Sequence, residues 1–434
     1  MKTHPLFRSK ALLLSLALLL LACAMPAHAR VYMDITSSDV RKVKMAVPFF
    51  VDRRQAASAS DGGRRMADLM SRALAFHGFI DIIDPNVYNG SQNWNWPAIG
   101  AEFVVIGQYD LGPEGVTLEL SLNDIHEGRQ ALNRKFSGPV STHPDMIKKF
   151  CDEVVYQLTG EAGVSTSKIA FVSNATGNKE VYLADVLGEE IRQVTRHEYL
   201  SLYPKISPDG RYLAYTSYHR GNPNLYLTDL RVLQTTKAIA FQKGLNMAPS
   251  WAPDSSLMAV TISKGVNPDI YVIDNSGQEM RKLTNGEGVN TSPSWSPDGS
   301  RLAFVSDRSG TPQIYVMDIA TKAVRRITYV GNENTTPAWS PKGDSIAYTS
   351  LAGGGRQIML IKPEGGTPMQ LTQSSGEHES PTWSPDGRQV AFARKVGGRQ
   401  EICSIFKNGA GMRTLFSNFR GGQMTPAWSP RLEK

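Results

Sequence analysis

Cysteine is scarce. There are three in 434 residues, and Cys23 falls within an N-terminal leader. Cys151 and Cys403 remain, in different predicted domains, so no disulfide framework is expected and both read as buried thiols. Beyond the leader no apolar run approaches the ~20 residues that a membrane-spanning helix needs. Neither sign of charge dominates. Three of the 47 basic residues lie in the leader and 40 residues are acidic, which leaves a balance of +4 and no dense basic tract of the kind that grips nucleic acid.

Catalytic signatures are missing too. No Gly-x-Ser-x-Gly elbow, P-loop, Gly-x-Gly-x-x-Gly or His-Glu-x-x-His occurs. Six histidines follow the leader, His77, His126, His143, His197, His219 and His378. None has metal-ligand spacing to another, and each reads as a surface or capping residue. A non-enzyme without metal or cofactor is expected.

The leader itself is informative. Lys2, Arg8 and Lys10 precede an apolar stretch from Ala11 to Ala22, and Ala27-His28-Ala29 is a small-x-small cleavage site. Export and a mature chain starting at Arg30 follow. Leu20-Leu21-Ala22-Cys23 offers a rival, a loose lipidation box at Cys23.

What the chain has in abundance is repetition. Pro204-Lys205-Ile206-Ser207-Pro208-Asp209-Gly210 recurs as Pro249-Ser250-Trp251-Ala252-Pro253-Asp254 and as Pro293-Ser294-Trp295-Ser296-Pro297-Asp298-Gly299. Further copies start at Pro337, Pro381 and Pro426. A period of 44 or 45 residues built from short alternating strands marks a propeller blade. Strand A holds Pro-x-Trp, strand B is typified by Arg301–Val305, strand C by Gln313–Asp318 and strand D by Val324–Thr328. Strand B occurs six times. Its first copy, Lys168–Ser173, lacks a preceding Pro-x-Trp, and the last Pro-x-Trp, at Pro426, lacks a following strand B. The economical solution is closure, with the C-terminal strand A completing the blade begun at Lys168. That removes two open sheet edges.

Three regions result: leader 1–29, a small α/β domain 30–163, and an all-β six-bladed propeller 164–434. In the α/β domain, Lys44–Phe49 reads as a strand and Arg64–His77 as an amphipathic helix stopped by Gly78. Strands follow near Phe79–Ile83, Phe103–Tyr109, Val116–Leu122 and Leu132–Phe136, with a further helix expected before the second of these. Pro144 opens a last helix ending at Gly160. Residues 161–167 read as the join.

The repeated Asp209, Asp254, Asp298 and Asp386 are read as turn residues, since Lys342 replaces the aspartate in the fourth copy. Trp251, Trp295, Trp339, Trp383 and Trp428 are read as inter-blade core. In a propeller the A–B and C–D turns share one face, while B–C loops and D-to-A crossovers share the other. The second face carries Lys179, Arg220, Lys264, Arg308, Arg356, Arg394 and Lys395, and the polar residues before each Pro-x-Trp. A hydrogen-bonding ring with a basic rim is expected there, on a rigid scaffold where binding commonly sits.

A leader, a small α/β domain and six Pro-x-Trp-Ser-Pro-Asp-Gly blades closed by Pro426-Ala427-Trp428-Ser429-Pro430 together resemble the TolB family, the periplasmic propellers of the Tol–Pal system. The likeness covers the whole chain; Ile206, Ala252 and Lys342 depart from the motif. The resemblance implies a periplasmic, non-catalytic protein that links the peptidoglycan-associated lipoprotein Pal to TolA and supports outer-membrane integrity and constriction during division. It implies a lipoprotein site at the channel mouth: Leu245, Asn246, Ala248, Asn290, Thr291, Asn334, Thr335, Thr336, His378, Glu379, Met424 and Thr425. It also implies a TolA-binding stretch of Arg30, Val31, Tyr32, Met33, Asp34, Ile35, Thr36 and Ser37, whose alternation suits a strand added to a sheet edge. The alternative from the residues is a propeller that binds peptidoglycan or other carbohydrate directly.

Overall fold

The computed structural model describes residues 41–54, 60–113, 115–232, 238–240, 244–352 and 354–431. The leader, Cys23 and the Arg30–Ser37 stretch lie outside the described residues. Among the described residues no helix is long and apolar enough to cross a membrane.

The first domain is a twisted sheet backed by helices. Its strands are β1 (Val43–Ala46), β2 (Val51–Asp52), β3 (Ile80–Ile82), β4 (Phe103–Gly112), β5 (Gly115–Asp124) and β6 (Arg129–Gly138), in the order β3-β1-β4-β5-β6 with β2 beside β4. β1 runs parallel to β3 and β4, while β4, β5 and β6 form an antiparallel meander. Val116, Leu118, Leu120 and Leu122 alternate inward along β5, as period-two patterning requires. Helix α1 is Asp61–Ala75, three residues earlier at its start than the apolar stripe indicates. The Ser60 hydroxyl caps it by accepting from the Gly63 amide at 2.9 Å. Gly63 is required for a second reason, since a Cβ there would stand 2.0 Å from the Phe50 carbonyl oxygen. Helix α2 is His143–Thr159, closed by Gly160 in the left-handed conformation.

The helix expected before β4 does not form. Pro85–Tyr88 and Trp96–Ile99 are short 3₁₀ turns. Each starts on a proline-stiffened turn and is ended after four residues by a left-handed residue, Asn89 or Gly100.

The propeller has six four-stranded blades. Blade 1 is Gln423–Trp428, Lys168–Ser173, Glu180–Asp185 and Ile191–Gln193, with Trp428 opposite Ile169 and Gln423 opposite Ser173. Closure by the C-terminal strand is therefore as the repeat implies. Blades 2 to 6 start at Ser201, Asn246, Asn290, Glu333 and Glu377. Strand A of every blade packs on strand A of both neighbours, so these six strands form the inner ring. Each blade seam has its own apolar cluster. Trp251 lies among Leu225, Met258 and Tyr271, and Trp295 among Ile270, Val272 and Phe304. All five repeat tryptophans are at most 9% exposed. At about 25 cal/mol per Å² of apolar area, a buried tryptophan is among the largest single contributions to a seam.

The α/β domain sits on the face of the A–B and C–D turns. Lys148 of α2 pairs with Asp185 of blade 1, and Arg72 of α1 with Glu189 in the following turn. Glu161 pairs with Arg388 at 3.2 Å and with Lys342, spanning the A–B turns of blades 6 and 5. Arg413 donates to the Phe76 carbonyl at 2.7 Å, and its guanidinium lies 3.9 Å from the Phe76 ring centre. The join 161–167 is no loose linker. Val164, Ser165 and Ser167 are fully buried. Asp152 accepts from the amides of Ser165 at 2.6 Å and Thr166 at 3.0 Å. Composition hid this because a polar, glycine-containing segment looks alike whether water or α2 satisfies its amides.

Candidate functional site

The opposite face is where B–C loops and D-to-A crossovers meet the inner ring, and none of the domain contacts above falls on it. Its geometry starts with a bulge in strand A. Register with strand B slips between Leu202 and Lys205, Met247 and Ser250, Thr291 and Ser294, Thr335 and Ala338, Glu379 and Thr382, and Met424 and Ala427. At each slip the residue before the proline is left-handed: Tyr203, Ala248, Ser292, Thr336, Ser380 and Thr425, with φ between 45° and 58°. Proline disfavours the right-handed helical region for its predecessor. Left-handed residues other than glycine cost roughly 1–2 kcal/mol each. A conformation repeated around one ring at that cost is held by its surroundings, and such strain gathers at functional sites.

A polar relay links successive blades beside this ring. The Thr328 side-chain oxygen accepts from the Ile314 amide at 2.9 Å, and its hydroxyl donates to Gln313 at 2.8 Å. Gln313 also accepts from Asn334 of the next blade at 2.7 Å. One blade back, Thr284, Asp269 and Asn290 repeat the relay at 2.6 and 3.1 Å. Thr372 and Gln357 repeat its first half at 2.7 Å. Asn246 donates to the Pro223 and Gly244 carbonyls, and His378 bonds Ser374 at 3.0 Å.

The expected site residues divide by burial. Asn246, Asn290, Asn334 and His378 are 0% exposed, and the three asparagines bond to the preceding blade or crossover. Leu245, Ala248, Thr291, Thr335, Thr336, Glu379, Met424 and Thr425 remain partly exposed and gather around the inner ring. The other left-handed positions of the ring are Tyr203, Ser292 and Ser380; Ser292 and Ser380 fall among the polar residues before Pro-x-Trp, and Tyr203 is not singled out from the sequence.

The rim is less basic than its lysines and arginines imply. Arg308 pairs with Glu287 at 3.2 Å, Arg394 with Glu401 at 3.2 Å, and Lys264 with Glu279. Arg356 lies between Glu379 at 3.3 Å and Glu333 at 3.6 Å. The acids come from neighbouring strands and crossovers, a pairing invisible when loops are sorted one at a time. Exposed apolar groups stand on this face as well: Tyr199 and Leu200 in one crossover, Tyr329 and Val330 in another, and Val266 in a B–C loop.

On the seated face the repeat aspartates bind their own turns. Asp298 accepts from the Ser296 and Ser300 hydroxyls and the Ser300 amide, which holds its pKa down at about 2. Asp386 accepts from the Arg388 amide at 3.1 Å. Two histidines, His77 and His378, are buried and depart from the surface reading, while His126 and His219 are exposed. His77 is buried at the join, its Nδ1 donating to the Ala73 carbonyl at 3.0 Å while its Nε2 accepts from the Val164 amide at 3.0 Å. Cys151 and Cys403 are free and buried, and burial pushes both thiols up, Cys403 to about 11.

Comparison with known proteins matches two family models. The TolB beta propeller domain fits residues 155–432, and the TolB amino-terminal domain fits residues 31–131. The "Tol-Pal system protein TolB" of Desulfotalea psychrophila is 43% identical over 258 residues, 58% of this chain and 59% of that protein. The protein of the same name from Desulfosudis oleivorans is 36% identical over 286 residues, 63% of this chain and 65% of that one. The chain thus spans about six-tenths of the length of these relatives. The crystal structure of TolB from Acinetobacter baumannii superposes with a TM-score of 0.79 at 28% identity, covering 92% of this chain and 99% of that one.

Proposed function

This chain belongs to the TolB family, and on that premise we propose that it is a non-catalytic, periplasmic component of the Tol–Pal system that joins a Pal-like lipoprotein to TolA. The observation that carries the reading is the seating of the α/β domain. It occupies the A–B and C–D face through Lys148, Glu161 and Phe76, so its described contacts lie on the face opposite the strained inner ring.

The lipoprotein would bind at that ring, against Leu245, Ala248, Thr291, Thr335, Thr336, Glu379, Met424 and Thr425. A rigid, preorganised ring with polar hydrogen-bonding groups and a few apolar anchors suits a specific protein partner, because little ordering entropy is lost on binding. Arg30–Ser37 would pair with a sheet edge of TolA. Supporting outer-membrane integrity and constriction during division would follow from that linkage. Any coupling between the two partners must be reciprocal.

Calorimetry of residues 30–434 with the periplasmic domain of the cognate Pal-like lipoprotein tests this. Saturable one-to-one binding, lost in Thr291→Arg, is expected. Absence of a complex removes the function while leaving the fold standing. A second titration, with Arg30–Ser37 deleted, tests coupling: an unchanged lipoprotein affinity ends that part of the reading.

A further inference from the structure

The join between the two domains hangs on a histidine whose protonation state its neighbours dictate. His77 follows the C-terminal end of α1 and is buried. Its Nε2 meets the Val164 amide at 3.0 Å, and its Nδ1 meets the Ala73 carbonyl at 3.0 Å. A backbone amide only donates and a carbonyl only accepts, so the ring is the neutral Nδ1–H form. A cationic ring would carry a second proton, on Nε2, and turn it against the Val164 N–H. Val164 is fully buried, so water cannot take over its amide while the join stays in place.

The nearest acceptor for that second proton is already in use. Asp152 on α2 places Oδ1 3.9 Å from Nε2, but the same oxygen accepts from the Ser165 amide at 2.6 Å. Its Oδ2 accepts from the Thr166 amide at 3.0 Å and hydroxyl at 2.7 Å. Gly163 leaves no slack between them, since a Cβ there would stand 2.4 Å from Asp152 Oδ1 and 2.7 Å from His77 Nε2. From the A–B turn of blade 6, Asp386 favours the charged ring and Arg388 opposes it. The other charges nearby are engaged elsewhere. Glu161 pairs with Arg388 and Lys342, Arg413 donates to the Phe76 carbonyl, and Arg431 donates to the carbonyls of Ala162 and Gly163. Burial outweighs the two aspartates and holds His77 below the ordinary histidine pKa.

We propose that His77 is an acid-sensitive latch on residues 163–166. Neutral, it holds the join against α1 while Asp152 holds it against α2. Protonated, its Nε2–H competes with the Ser165 amide for Asp152, and the Val164 amide loses its acceptor. The join then lets go of both helices while the propeller stays folded, a local opening and not a global one. The latch is closed above about pH 6.5 and opens progressively below it, because the released segment leaves His77 free to bind a proton that the closed one excludes. The chain passes between the domains only at this join, so the latch sets how firmly the α/β domain is tied to the propeller. It does not depend on the partner reading above.

The test is amide hydrogen exchange of residues 30–434 at about pH 7.5 and about pH 5.5, corrected for the intrinsic pH dependence of exchange. The opening constant of the Val164, Ser165 and Thr166 amides should rise by up to about tenfold, the ratio of proton uptake by an ordinary histidine at those two pH values. Amides of blade 4, which contains no histidine, such as that of Ile314, should change far less. His77→Gln, whose side-chain oxygen can still accept from Val164, should remove the rise. Should that variant not fold, nitrogen NMR of the wild-type histidines replaces it: at neutral pH His77 should carry its proton on Nδ1 alone, and it should titrate in step with exchange at the join. A rise below about twofold at the join, an equal rise in blade 4, a rise that persists in His77→Gln, or a proton on Nε2 at neutral pH overturns the proposal.

Discussion

Lys148 on α2 and Asp185 at the end of a strand in blade 1 form an ion pair across the domain boundary with side chains only 4% and 2% exposed. Removing one member of a buried pair strands the other charge and costs about 3–5 kcal/mol, whereas replacing both with apolar groups is often neutral. Lys148→Met should therefore lower urea stability by that amount, and Lys148→Met with Asp185→Leu should recover most of it. A double-mutant cycle reads the difference. Additive losses would show that the two charges do not depend on one another.

His77 predicts a pH response. Burial lowers its pKa, against the opposing pull of Asp152 and Asp386 and with the help of Arg388. The folded protein then binds fewer protons than the unfolded chain below about pH 6.5, so stability present at neutral pH is lost as pH falls through that window. His197 and His378 are shifted down by burial as well. His77→Gln should thus reduce, without abolishing, the fall in melting temperature between about pH 7.5 and 5.5. A profile that superposes on wild type would remove His77 from the account.

Thr425 carries two penalties at once. It is a β-branched residue at φ 45°, and its hydroxyl is buried without a partner. Glycine accepts that conformation freely, at the cost of more unfolded-state entropy. Thr425→Gly should leave stability unchanged or raise it by about 1 kcal/mol, an unusual outcome for truncating a partly buried residue. Chemical denaturation giving a loss above about 1 kcal/mol would mean the strain is smaller than the dihedral implies.

Ring closure rests heavily on Trp428. Its indole donates to Ser167 at 2.8 Å, its amide to Thr382 at 3.1 Å, and its ring meets Phe76 edge-on at 6.2 Å. Trp428→Ala should cost about 3–5 kcal/mol in equilibrium unfolding. Deleting residues 423–434 should open the edge of blade 1 and yield an aggregating chain, visible by light scattering. A monomeric, cooperatively folding truncation would show that five complete blades and three strands suffice.

Much of the architecture was legible from the chain alone. The 44- and 45-residue spacing of Pro204, Pro249, Pro293, Pro337, Pro381 and Pro426 set the blade, its count and its closure, because each blade is coded by short-range alternation and turn chemistry and then repeated. The tryptophans announced the seams for the same reason. What only the tertiary structure decided are relationships between unlike segments. Arg413 reaches the Phe76 carbonyl across 337 residues with no shared pattern. The burial of Val164 depends on where α2 and His77 come to rest. Asn290 and Asn334 are buried and bonded because the strands of the preceding blade present Asp269 and Gln313 to them. A residue's type states which hydrogen bonds it can make, and only the fold supplies the partner that claims them.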